Sequence, residues 1–409
     1  MVGRYSLTAW RAPLAAPPPA AAPLEPRAAE EVLVSDNIGF WPRHFSSGPE
    51  DRDSETGYGP GSDAWTPAET AIAAIWVDGR VHDISVSPDG ERLFVARSDS
   101  VVVINGRHHI VGRIPVSGPV KSLVMNADGK QLLVIYYDGT VLIVDTRDYT
   151  VQTPWGGCAS DMVISPGGGH LYAAHSGGIS VIDIACATTV ATVPVNDVAA
   201  LAISPDGGRL YAISCDRHTY YEYPAGWLTV IDTASHAVVE SIAVGACPET
   251  VTASPDGAYV YVTHYDTCSV SAVDLATGSA TAVVLPDAPL AVAFAPDSTH
   301  AYVRTERSLA VIDTTTNDAD DIDTGDLPRG LQLSPDGKHA YVTNFGDRTL
   351  SVIDTITNSV TTTVDVPGYP EAVAVSPDGE RVYLGDYWSG TVAVFSVPTV
   401  NDLHANAAS

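Results

Sequence analysis

The stretch SPDGKHAYVTNFGDRTLSVIDT, from Ser334 to Thr355, reads as turn, strand, loop, strand, turn. Pro335 presets a turn dihedral, Asp336 can bond the local backbone, and Gly337 accepts the positive φ that lets a strand restart. HAYVT and TLSVID have the short apolar character of strands. The stretch is one copy of several. Its turn recurs as SPDG 87–90, NADG 126–129, SPGG 165–168, SPDG 204–207, SPDG 254–257, APDS 295–298 and SPDG 376–379, at steps of 39, 39, 39, 50, 41, 39 and 42 residues.

Each turn is followed by two apolar stretches, such as RLFVA and SVVVIN, or YVYVT and VSAVD. A third follows before the next turn. Four short strands per unit of about 40 residues is the signature of a propeller blade. We label them A (ending at the turn), B, C and D. The aspartates that end the C strands (Asp145, Asp183, Asp232, Asp274, Asp313, Asp354) suit Asx-type turns better than catalysis. Ser298 stands where other copies have glycine, so strain is expected there.

Counting gives eight A, eight B and eight C strands but seven D strands. The missing outer strand is expected at the other end, where AIAAIWV (71–77) can pair with the last C strand, TVAVFSV (391–397), and close the ring. Closure removes edges that would invite aggregation. The expectation is an all-β propeller of eight four-stranded blades over 69–398, with seven as the alternative. Residues 1–68, Ala/Pro-rich and then acidic, are expected to form an extended or disordered arm, and 399–409 a tail.

Bulk chemistry narrows the function. Lys and Arg total 21 against 49 Asp and Glu, a formal charge of −28. Such a field repels nucleic acid and anionic lipid. Five cysteines, an odd count without CxxC or CxxCH, make no disulfide framework and no covalent haem site. Cys247–Cys268 and Cys215–Cys247 disulfides, or free thiols, are all compatible with the spacing. There is no HExxH and no apolar run of membrane-spanning length. Prolines 13, 17, 18, 19 and 23 break the N-terminal apolar segment, so a cytoplasmic location is expected, with export or the cell envelope as the alternative. A monomer is expected.

The repeat unit resembles the YVTN-type β-propeller repeat family. The name motif stands at Tyr341-Val342-Thr343-Asn344 and nearly intact as YVTH at 261–264, and the resemblance covers about residues 70–398. It implies a propeller fold. Members of that family are described as surface-layer, exported or uncharacterised binding proteins. Related propellers include haem d1-binding domains of nitrite reductases, quinohaemoprotein subunits and lactone-hydrolysing enzymes. The chain departs from them in lacking a clean signal peptide and any c-type haem motif.

D–A and B–C loops share one face of a propeller, and this face, with the more varied loops, is the expected binding face. Three sets of residues point there. The residues five before each turn (His82, Lys121, Ser160, Ala199, Glu249, Leu290, Arg329, Glu371) should open the A strands around the channel. They are expected to line a wet channel; in an enzyme, Glu249 or Glu371 would be the base, Arg329 would stabilise negative charge, and His82 would assist. The residues three after the B-strand aromatic or leucine form a second ring: Arg97, Tyr136, His175, Ser214, His264, Thr305, Asn344 and Asp386. Of these His175, His264, Asn344 and Asp386 are the binding candidates. His264 and Asp266 near Cys247 and Cys268 are weighed as metal ligands and set aside, because the spacing alone does not make them converge. Last, the 50-residue unit inserts CDRHTYYEYPAG (215–226) into a B–C loop, where Arg217, His218, Tyr220, Tyr221 and Tyr223 resemble a recognition loop.

The leading expectation is a non-enzymatic propeller scaffold binding a protein, peptide or envelope-associated partner on the D–A/B–C face, without cofactor or metal. The alternatives are a lactonase-like hydrolase at the channel mouth and a domain binding a noncovalent haem d1.

Overall fold

Among the described residues the chain forms eight antiparallel sheets of four strands each. The computed structural model describes residues 71–126, 128–155, 159–215, 224–366 and 368–397. Blades 1 to 7 occupy 81–115, 120–155, 161–193, 198–244, 251–284, 289–322 and 328–365. Blade 8 takes its A, B and C strands from Pro370–Val375, Arg381–Asp386 and Thr391–Ser396, and its outer strand from Ala71–Trp76. The outer strand pairs antiparallel with the last C strand, Ile75 opposite Val392 and Trp76 opposite Thr391. Eight blades with this closure are therefore observed, not seven. Among the described residues no helix is long and apolar enough to cross a membrane.

The turns behave as their sequence dictates. In the copy at 334–337 the Ser334 hydroxyl donates to Asp336 (2.7 Å) and accepts from the His339 amide (3.0 Å), while the Gly337 amide closes the turn on the Ser334 carbonyl (2.9 Å). Gly337 has φ +71°, and a Cβ there would lie 2.8 Å from the ring of Pro296 in the preceding turn. Glycine is needed for both reasons. Ser298 adopts φ +60° in place of a glycine. Its hydroxyl accepts from the Asp256 amide of the neighbouring turn (3.0 Å), which offsets the strain. Asp354 accepts from the amides of Ile356 and Thr357 (2.9 and 2.8 Å), and Asp313 and Asp232 hold their own turns in the same way.

The core lies between blades. Tyr302, Leu309, Val311 and Ile322 of blade 6 pack against Leu333, Ala340, Val342 and Ile353 of blade 7. The same arrangement joins blade 8 to blade 1 through Tyr383, Val392, Val394, Ile84, Val95 and Val102. The B-strand tyrosines Tyr261, Tyr302 and Tyr341 are fully buried, so each blade fills its neighbour's face. Two aspartates on A strands add polar clasps between blades. Asp83 accepts the Leu123 amide (2.8 Å) and Asp161 the Leu201 amide (2.7 Å), each in the next blade.

Candidate functional site at the channel mouth

The second ring of sequence candidates braces the loops that enter its own blades. Asn344 donates to the Thr324 carbonyl and to the hydroxyls of Thr349 and Ser351 (2.9 Å each). His264 donates from Nδ1 to the Ala246 carbonyl (2.8 Å), which leaves Nε2 to accept from Ser271 (2.8 Å). Burial favours its neutral form and pulls its pKa down against that carbonyl bond. Asp386 accepts the amides of Tyr369, Trp388 and Ser389 (2.7, 2.8 and 2.6 Å). The Tyr136 hydroxyl accepts the Ser117 amide (3.2 Å). His175 is half-buried and bonds Ser180 and the Gly177 amide. Asn344 is 0% and His264 1% exposed, so neither touches the surface it was expected to serve. Both ring nitrogens of His264 are taken, and no group of three or more metal-ligating side chains occurs among the described residues. The described cysteines, Cys186, Cys215, Cys247 and Cys268, are free thiols. Burial, followed by the charge of Asp266, pushes the Cys247 thiol up to about 11.

The mouth is built from the next residue along. The B strands end at Tyr136, His264, Asn344 and Asp386, so a shift of one position moves from the strand end into the loop that follows it. The residues four after the B-strand aromatic or leucine include Tyr137, Tyr265, Phe345 and Tyr387. Phe345 packs on Tyr369 (ring centroids 5.1 Å apart) and reaches Tyr387 (6.4 Å), which meets Trp388 (4.9 Å) and, edge to face, His82 (5.6 Å). Arginines cap this array. The Arg80 guanidinium lies 4.2 Å from the Trp388 ring centre and 5.2 Å from that of Tyr387, and Arg329 stands 5.4 Å over Phe345. Such stacking suits the planar guanidinium. Trp388 remains 43% and Tyr369 39% exposed.

The first ring divides into neighbourhoods. Burial raises the Glu371 pKa, opposed by the charges of Arg329 and then Arg304. Burial pushes the Arg304 guanidinium down to about 10, Arg329 adds to the effect, and Glu371 opposes it. These three side chains therefore form one electrostatic group across blades 6, 7 and 8. Tyr137 is raised by burial and then by Tyr387, Glu371 and Asp83, which ties blades 1 and 2 to the same region. His82 bonds Ser98 (3.0 Å), and burial and Arg80 lower its pKa. Glu249 belongs elsewhere: its charge is felt by Tyr265, which donates to Glu306, and by Cys247. Of the four expected catalytic residues, Glu371 and Arg329 come together, His82 adjoins them through Tyr387, and Glu249 sits with another set.

Arg304 carried no weight in the sequence, yet a signal was present. Its position holds Ala96, Ile135, Ala174, Ile213, Thr263, Thr343 and Gly385 in the other blades. With Arg329, Leu290, Glu306 and the loop residues Asp323 and Asp326 it lines a cavity of about 490 Å³ between blades 6 and 7. Arg217, His218, Tyr220, Tyr221 and Tyr223 lie outside the described residues.

No family model matches the chain, and no curated protein matches it. Among solved structures it is similar to Kuenenia stuttgartiensis hydrazine synthase, with 22% identity over 84% of this chain and 100% of that one, at a TM-score of 0.53. A likeness at that identity carries the fold alone. It is consistent with a β-propeller fold.

Proposed function

We propose that the chain is a β-propeller scaffold that binds a protein or peptide partner on its D–A/B–C face, as the YVTN-type character of its repeats also suggests. The observation that carries this is the platform of Phe345, Tyr369, Tyr387 and Trp388 capped by Arg80, which leaves Trp388 and Tyr369 open at the mouth. Tryptophan, tyrosine and arginine are the residue types that dominate interface energy, because they bury large area at small entropic cost. The test compares three versions of the chain as bait in an extract of its host: wild type, Trp388→Ala/Tyr369→Ala, and Ile356→Ser. Ile356 is the exposed control, on a turn of the opposite face. The expected result is one protein retained by wild type and Ile356→Ser and lost from the double variant. Equal recovery from all three would sink the proposal.

A second reading, hydrolysis at the mouth, is favoured by Glu371 alone. Glu371 is half-buried beside Arg304 and Arg329 and its pKa is raised, as suits a proton carrier. This reading expects turnover on some member of a lactone panel, lost in Glu371→Gln at unchanged melting temperature. No turnover by wild type across the panel would remove it.

A further inference from the structure

We propose that the cavity between blades 6 and 7 is a binding site for a small amino-acid-like zwitterion, its carboxylate held by Arg304 and its ammonium by the acidic rim of Asp323, Asp326 and Asp347. This goes beyond partner binding on the aromatic platform and does not depend on it.

Arg304 is costly where it stands. An arginine placed where seven other blades hold Ala, Ile, Thr or Gly is half-buried there, and a partly desolvated guanidinium is costly unless its donors are used. Among the described residues Nη1 donates to the Pro328 carbonyl (3.1 Å), and no ion pair holds the guanidinium. The planar fork retains donors that match a carboxylate in the bidentate manner. Arg329, on the adjoining A strand, lines the same cavity and adds positive charge to its inner wall.

The rim has the opposite sign. Asp323, Asp326 and Asp347 also line the cavity and are exposed. One Asp347 oxygen accepts the Asp326 amide (2.7 Å), which fixes that loop. The remaining rim cation, Arg307, faces Asp287 (3.6 Å). A polyanion such as phosphate would meet these carboxylates as like charges, and a simple cation would meet the two inner arginines. A molecule with a carboxylate at one end and an ammonium at the other is complementary to both. At about 490 Å³ the cavity is within the range of small-molecule sites.

The test is calorimetric titration of the purified chain with ω-amino acids from glycine to 6-aminohexanoate, alongside butyrate and butylamine, which carry one charge each. At least one amino acid is expected to bind saturably and more tightly than either single-charge probe. Arg304→Thr, which copies blades 5 and 7, should weaken it about tenfold or more. Asp323→Asn/Asp326→Asn should weaken the amino acid, which loses its ammonium partners, while butyrate, relieved of two like charges, binds at least as well as before. Arg304→Lys keeps the charge but loses the fork, and serves if the threonine variant does not fold; it too should bind more weakly. The proposal is overturned if no probe binds wild type, if butyrate binds as tightly as the best amino acid, or if the Arg304 variants bind as wild type does. These titrations contain no partner, so their failure leaves the bait experiment standing. Loss of capture in Trp388→Ala/Tyr369→Ala likewise leaves the titrations standing.

Discussion

The two faces of the propeller are made by opposite rules. On the turn face the same few residues recur: Ser334, Asp336, Gly337 and Asp354 have counterparts in most blades, and each bonds within its own turn or the next. On the mouth face hardly any two loops agree. Asp386 holds three amides, Asn344 three acceptors, and Arg304 stands alone among small and apolar residues. Repetition marks what the fold needs from every blade. Divergence marks either a local brace or a site, and burial separates the two: Asn344 and His264 are enclosed, whereas Trp388 and Tyr369 are open.

Paired substitutions on the two faces sharpen this contrast. The largest effect is expected at a mouth brace. Asp386→Ala removes a buried carboxylate that holds three amides at once, those of Tyr369, Trp388 and Ser389, and should cost about 3 kcal/mol in urea unfolding. Asp354→Ala on the turn face frees two amides to water and should cost about 1 kcal/mol. Equal costs would erase the distinction.

Next comes a pH effect at a blade clasp. Burial raises Asp83 to about 6 despite the amides of Leu123 and Ile84, which favour its charged form. An unfolded aspartate titrates near 3.9. The folded chain therefore holds this proton more tightly. The resulting stability is full below about pH 4 and is lost as pH rises through about 6, a change on the order of 3 kcal/mol. Asp83→Asn keeps an acceptor for Leu123 and should flatten the melting profile of wild type between pH 4 and 7. Turn aspartates such as Asp336, held at about 2 by Ser334 and Lys338, lose their contribution only at lower pH and cancel in the comparison. Parallel profiles for the two proteins would contradict the account of Asp83.

Smaller effects are expected at the turns. Gly337→Ala must accept φ +71° and a close approach to Pro296, at a cost of about 2 kcal/mol. Ser298→Gly relieves a positive φ but frees the Asp256 amide, so stability should move by less than about 0.5 kcal/mol. Trp388→Ala should have a comparably small effect on stability, below about 0.5 kcal/mol, because its ring is already half in water.

The fold was legible because its determinants are local and repeated. The turn spacing, the C-strand aspartates, the strained Ser298 and the closing strand 71–77 can all be read from periodicity and turn chemistry. The site was legible in part. Glu371 and Arg329 were placed together by their common offset from the turn. The second ring was read at the last residue of each B strand, one short of the loop, and that step separates braces from the mouth: Asn344 from Phe345, Asp386 from Tyr387. Hydrogen bonds from His264 to Ala246 and from Asn344 to Thr324 join a strand end to a loop about 20 residues upstream, so spacing does not announce them. Glu249 shares the offset of Glu371 but lies three blades away, and only ring geometry separates them. Arg304 was visible as a departure from its column, and its meaning required the cavity.

The central claim is that the mouth face, not the turn face, meets the partner. Photo-crosslinking tests it most directly, with a benzophenone side chain placed at position 388 in one version of the chain and at position 356 in another, each irradiated in the extract of the host. The account predicts a discrete adduct from position 388 and none from position 356. An adduct from position 356 alone would contradict it.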